Sequence, residues 1–379
     1  MIAIIRSALL LLSCLFAPLP SFAQTGPAGI TKPTILPLFD ADRPLCTPPS
    51  GLTRVLGFAQ DNEREFMNGV RRGLAAAASD RGMQFRVAQA GSDAKRQIEQ
   101  VQQFRASHVG ALVSAPVDAI ALAPHLQQLI WSGAFVGAVV PPPATEILNA
   151  PQYLTGRALG DAAAAYIRDH LRGRANVVLL THDSLQFLAP RFVAMRDALK
   201  VLPGVSVIAD LSPATVDKQG GAAAMRTVLL AHSSVDVVLG ADTVVLGALA
   251  TLRAAGKARP DQFLGGIDGE PEAVAEIKAG GPYKASISLN SPMFGYALGQ
   301  HGADWMSGRN VPQAMDILPS AISLTNIAQY ESDLADPGRV WRDPTRRASY
   351  LRLYGNICYD TRDNYLNFPW SSERISPVR

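Results

Sequence analysis

Cysteine is scarce in this chain: three residues in 379. That excludes a small disulfide-stapled fold and a multi-cysteine metal framework. The six histidines, His108, His125, His170, His182, His232 and His301, show no metal-ligand spacing. No basic block occurs and the formal net charge is only +3, so nucleic-acid binding has no electrostatic footprint. Neither G-x-G-x-x-G nor G-x-x-x-x-G-K-[ST] is present, so the phosphate cradle of nucleotide enzymes is missing. His182-Asp183 follows a strand pattern without any nucleophile motif, and no metal set accompanies it. An enzyme is not expected, and neither is a cofactor or a metal.

Long apolar runs are also few. The one near the start, Ala8 to Ala17, falls short of the roughly 20 residues that span a bilayer. Arg6 precedes it, Pro18 and Pro20 break it, and Ser21-Phe22-Ala23 supplies a small-x-small cleavage site. Residues 1–23 are therefore expected to be a signal peptide cut after Ala23. Export leaves Cys46 and Cys358 as candidates for a disulfide, with two free thiols as the alternative.

What is present is an alternation of strands and helices. The stretch Val235 to Gly269 shows it best. Val235, Val237, Val238 and Leu239 make a short buried strand; Val245, Leu249 and Leu252 fall at helical spacing up to Gly256; Phe263 to Ile267 is a second strand. Such a β–α–β unit builds a parallel sheet, and strand carboxyl ends in open parallel sheets face the ligand crevice. Asp242 and Asp268 lie at two such ends. About four units precede Tyr153 and about four follow Leu159, which predicts an α/β fold with two lobes and two parallel sheets. Residues 24–51, rich in proline, read as an arm. Residues 331–379 break the alternation, and their many aromatics read as an extension packed on a lobe.

Several segments together resemble the type I periplasmic binding proteins, the ribose- and galactose-binding group. These are Phe58-Ala59-Gln60-Asp61-Asn62 through Phe66, Gly69 to Leu74, Val113 to Ala119, Arg191 to Met195, Leu246 to Leu249 with Ala254 to Lys257, and Gly265-Gly266-Ile267-Asp268-Gly269. The resemblance covers residues 53–329. It implies lobe 1 over residues 52–155 and 290–318 and lobe 2 over residues 156–289 and 319–330. Three hinge crossings are implied near Thr155, Asn290 and Leu318.

It also implies a periplasmic, monomeric solute-binding protein that captures a sugar or polyol by hinge closure and hands it to an ABC import permease. Contact with the membrane would run through that permease alone. A ligand-sensing accessory of a sensor kinase or chemoreceptor is the alternative. Carried over residue by residue, Gln60, Asn62 and Phe66 would line the cleft from lobe 1, Arg191, Asp242 and Asp268 from lobe 2, and Asn290 from the hinge. Carboxylates accept hydrogen bonds from sugar hydroxyls, an arginine fork donates to oxygens, and an aromatic ring packs on an apolar sugar face. Other roles compete: a helix cap for Asp242, a turn for Asn62, and core packing for Phe66, which falls on its helix's apolar stripe.

Overall fold

The computed structural model describes residues 36–139, 143–183 and 188–367. The expected signal peptide lies outside the described residues. In chain order the first lobe begins with β1 (Thr53–Gln60), α1 (Glu65–Asp80), β2 (Gln84–Gln89), α2 (Ala94–Ala106), β3 (Val109–Ser114), α3 (Ala119–Trp131), β4 (Phe135–Val139) and β5 (Glu146–Asn149). The second holds α4 (Gln152–His170), β6 (Arg174–Leu180), α5 (Ala189–Lys200), β7 (Gly204–Leu211), α6 (Lys218–Ala231), β8 (Val237–Leu239), α7 (Asp242–Ala254), β9 (Phe263–Ile267), α8 (Pro271–Lys278) and β10 (Tyr283–Ser288). The chain then returns through α9 (Ser291–Met306) and β11 (Ala314–Ile317), and crosses again to β12 (Ser320–Ile322). It closes with α10 (Ile327–Ala335), α11 (Pro337–Arg342), α12 (Pro344–Ala348) and β13 (Leu351–Tyr354).

One sheet runs β2-β1-β3-β4-β5-β11-β13 and the other β7-β6-β8-β9-β10-β12. Every pairing is parallel except β11 with β13 and β10 with β12. Strands buried on both faces read as unbroken apolar runs, which is why β3, β4, β8 and β9 are legible in the sequence. The first sheet is covered by α1 and α9 on one face, around Leu74, Phe294 and Trp305, and by α2 and α3 on the other. The second is covered by α6 to α8 on one face and by α4 and α5 on the other.

Two elements differ from expectation. The strand β5 was not anticipated, because its four residues include a glutamate. Glu146 is fully buried, and its carboxylate meets His301 Nδ1 at 2.8 Å, which satisfies a charge that burial would otherwise disfavour. The helix α4 starts at Gln152, two turns before Leu159, because Pro151 at its N-cap can open a helix without needing an N–H.

The arm and the extension meet on the first lobe. Leu38 bridges to Tyr354, Phe39 N donates to Leu353 O (3.0 Å), and the disulfide Cys46–Cys358 closes a separation of 312 residues. The extension also makes a fourth crossing. On the second lobe, α10 buries Ile327 and Tyr330 in the core and its Glu331 pairs with Lys278 (2.8 Å). On the first, α11 buries Val340 and sets Trp341 against Tyr296 and His301. Asp333, 1% exposed, sits at this crossing and accepts from Tyr350 Oη (2.5 Å), Arg346 Nε (2.8 Å) and Gln329 Nε2 (2.9 Å). Asp333→Ala leaves the Tyr350 hydroxyl and a guanidinium without their acceptor. A loss of about 2–3 kcal/mol is expected, moderated because Arg346 is partly exposed. Thermal unfolding checks this; an unchanged melting temperature contradicts it.

Candidate functional site

The carboxyl ends of the parallel strands gather polar groups that the protein itself does not satisfy. Among the described residues, eight buried side-chain polar atoms lack a hydrogen-bond partner. Six of these are at strand ends: Gln60 Oε1 and Asp61 Oδ1 after β1, Ser114 Oγ at the end of β3, His182 Nε2 after β6, and both Asn290 amide atoms after β10. Buried polar groups are normally paired, so this concentration at the carboxyl ends of two parallel sheets makes these strand ends the candidate site.

The first-lobe rim is braced from beneath. Gln97 Nε2 donates to Ala115 O (2.8 Å) and Ala59 O (3.2 Å), and its Oε1 accepts from Val117 N (2.8 Å), tying the ends of β1 and β3 together. Gln60 is fully buried and donates to Asn62 O and to Asn68 Oδ1 (3.2 Å), so its unpaired Oε1 is held in place. Asn62 builds the turn: its Oδ1 accepts from Arg64 N (2.9 Å) and its Nδ2 donates to Asp61 Oδ2 (2.6 Å). Burial raises the Asp61 carboxyl. Phe66 is half-buried in the first turn of α1 and packs on Phe294 at 5.3 Å between ring centres.

On the second lobe, Arg191 in the first turn of α5 is 6% exposed, and its Nε donates to Gln152 Oε1 (2.9 Å). The two helices touch at Gly156, where a Cβ would fall 1.8 Å from Arg191 O, so only glycine lets α5 sit this close. Asp268, at the end of β9, supplies the opposing charge without a direct ion pair. Burial lowers the Arg191 pKa and raises that of Asp268, and each group's charge counters the shift of the other. Asp268 has φ +116°, a conformation L-residues rarely adopt, held by its N–H to Ile287 O (2.8 Å). Asn290 is left-handed at φ +42°, where asparagine is tolerated, and is 3% exposed. Strained backbone that surrounding structure over-determines is concentrated at functional sites.

Asp242 is turned inward. It is fully buried, and its oxygens accept from Tyr283 Oη (2.7 Å), Ser286 Oγ (2.6 Å) and Glu270 N (2.9 Å). Its hydrogen bonds knit β10 and the start of α8 to the N-terminus of α7, which is a structural role. Burial pushes its pKa up to about 6. Glu270, half-buried, is pushed up to about 7 by burial and by the charges of Asp242 and Asp268.

These two shifts have a sign. A carboxyl whose folded pKa is raised favours the folded state below its ordinary range and loses that contribution as pH climbs through the folded value. Melting temperature should therefore fall between about pH 4.5 and 7 on account of these groups. Glu270→Gln should melt higher than the parent at pH 7.5 and show a flatter profile; parallel profiles would contradict the assignment.

The structure thus leaves unpaired polar atoms on Gln60 and Asn290 beside strand ends, sets Asp268 at the end of β9, and places Arg191 in the first turn of α5. It engages Asn62 in a turn and Phe66 in packing, and gives Asp242 to the interior. Asp61, Ser114 and His182 join the candidates here: Asp61 and Ser114 lie in segments that carry the resemblance, and His182 follows a strand, but the sequence does not single them out as ligand contacts. A separate concavity of about 470 Å³ lies between α1 and α10, but its charges, Arg72 and Glu331, are already paired with Glu65 and Lys278.

No helix among the described residues is long and apolar enough to cross a membrane. Residues 56–309 match the family model described as a periplasmic binding protein domain. The ribose import binding protein of Bacillus subtilis is 26% identical over 261 residues, covering 66% of this chain and 80% of that relative. The fold is shared with a Bacillus halodurans ABC transporter solute binding protein with bound myo-inositol: TM-score 0.63, 20% identity, 75% of this chain and 99% of that one. It is shared as well with a periplasmic ribose ABC transporter protein of Conexibacter woesei: TM-score 0.64, 19% identity, 75% and 96% coverage. The two-lobed α/β architecture and the family match over most of the chain agree: this chain belongs to the periplasmic binding protein family, with the type I fold.

Proposed function

We propose that this protein captures one small polyhydroxylated molecule, a sugar or polyol, between its lobes outside the cytoplasm and delivers it unchanged to an ABC import permease. The observation that supports this most is the set of unpaired buried polar atoms at the ends of β1, β3, β6 and β10. Gln60, Asp61, Ser114 and Asn290 offer carbonyl, carboxylate, hydroxyl and amide groups, and Arg191 with Asp268 adds one charge of each sign. That mixture suits many neutral hydroxyls at once, since each hydroxyl both donates and accepts. Lobe closure about the crossings near residues 150, 289 and 318 would bury the ligand and complete its hydrogen bonds. A ligand lacking the right hydroxyl would leave a buried group unpaired, at roughly 1–3 kcal/mol each, which is the source of selectivity.

The relatives bind ribose and myo-inositol by name, so those two, with L-arabinose and D-galactose, are the first probes. Titration calorimetry should show one-to-one binding of a member of this class, accompanied by a smaller radius of gyration in X-ray scattering. Binding with no compaction would contradict hinge closure, and binding of none of them would contradict the ligand class.

A further inference from the structure

We propose that His182 is a ligand-contacting, specificity-determining residue of the second lobe, its Nε2 hydrogen-bonding one hydroxyl of the bound molecule beside the group held by Arg191. The inference rests on the hydroxylated-ligand reading above and names a contact that reading did not contain.

The backbone before His182 is rigid. Thr181 N donates to Leu211 O (2.7 Å), extending the β6–β7 ladder one residue past the strand. The imidazole then turns against Phe192, 6.3 Å away between ring centres, so it shares the opening turn of α5 with Arg191. His182 is 4% exposed and its Nε2 has no partner. Its chain neighbour does not supply one. Asp183 gives both carboxylate oxygens to Arg196 (2.5 and 3.3 Å), which also holds Asp210 (2.6 Å). That arrangement removes the acid–base pair that the His182-Asp183 sequence suggests, since the carboxylate is committed elsewhere. Burial keeps the imidazole on the neutral side. A neutral imidazole nitrogen offers either one N–H or one lone pair, and a hydroxyl can answer both. Leaving such an atom unpaired inside a protein is costly, so a purely structural residue at this position would be expected to find a partner or to be apolar.

The assignment separates binding from stability. His182→Phe keeps an aromatic ring and removes the unpaired nitrogen, so the unliganded variant should melt at or above the parent temperature. His182→Gln retains a donor and an acceptor. In thermal-shift and calorimetric titrations with D-ribose, L-arabinose, D-galactose and myo-inositol, the probe that binds the parent should bind His182→Phe roughly 5- to 150-fold more weakly, with partial recovery in His182→Gln. Undiminished binding by His182→Phe overturns the assignment while leaving the general reading intact. An unliganded His182→Phe that melts several degrees lower overturns it as well, because it makes His182 a structural residue. A parent that responds to none of the probes overturns the ligand reading and this inference with it.

Discussion

Asp268→Asn should weaken ligand binding by roughly 30- to 1000-fold, corresponding to about 2–4 kcal/mol. Asparagine is nearly isosteric and tolerates unusual backbone, so the φ of +116° at this position need not change. What is lost is the negative charge that opposes Arg191, together with one of the two acceptor oxygens at the end of β9, which becomes an amide donor. Arg191 is then left in a nearly dry site, with Gln152 as its side-chain hydrogen-bond partner among the described residues. A ligand bridging the two groups would find one donor with nothing across from it. Calorimetry against the best-bound probe measures the loss, and far-ultraviolet circular dichroism confirms that the variant is folded. An affinity within threefold of the parent would remove Asp268 from the site.

Loss of the Cys46–Cys358 disulfide should cost about 2–5 kcal/mol, the range for native bridges, with the upper end favoured by a closed loop of this length. Cys358 is buried, and the bridge anchors an arm that is otherwise held by scattered bonds such as Cys46 N to Gly308 O (2.7 Å) and Thr47 N to Asp360 Oδ2 (2.8 Å). Cys46→Ser with Cys358→Ser should melt well below the parent, and reductant should bring the parent to the same temperature. A parent indifferent to reductant would show that the arm and the extension hold each other without the covalent link. Since the strand ends of the site belong to other elements, ligand affinity should change little.

The two-lobed architecture was legible because strands such as Val237–Leu239 and Phe263–Ile267 are uniformly apolar and each has a glycine close behind its end, Gly240 and Gly269, a local property. The place of Asp268 at a strand's end was legible for the same reason: Gly265-Gly266-Ile267 reads as the close of a short apolar strand. The fate of Asp242 was not. Its side chain is turned inward by Tyr283 and Ser286, 41 and 44 residues away, and no local pattern announces that pairing. Nor does any spacing show that Asp333 would meet Tyr350 across the fourth crossing, or that Glu146 would find His301 and let a charged residue occupy a buried strand. Ser114 sits in a segment that carries the resemblance and His182 follows a strand, but neither stands out there as a ligand contact. They become visible only once burial and unpaired atoms are known.

The central claim is that a small hydroxylated molecule is held, unaltered, between the strand ends of two lobes. Native mass spectrometry of the protein bearing its best probe tests it most directly, with the released molecule identified after binding. The account predicts one polyhydroxylated molecule per chain, recovered with its original mass, and its loss in Asp268→Asn. A probe recovered chemically changed, or one retained equally by Asp268→Asn, would contradict it.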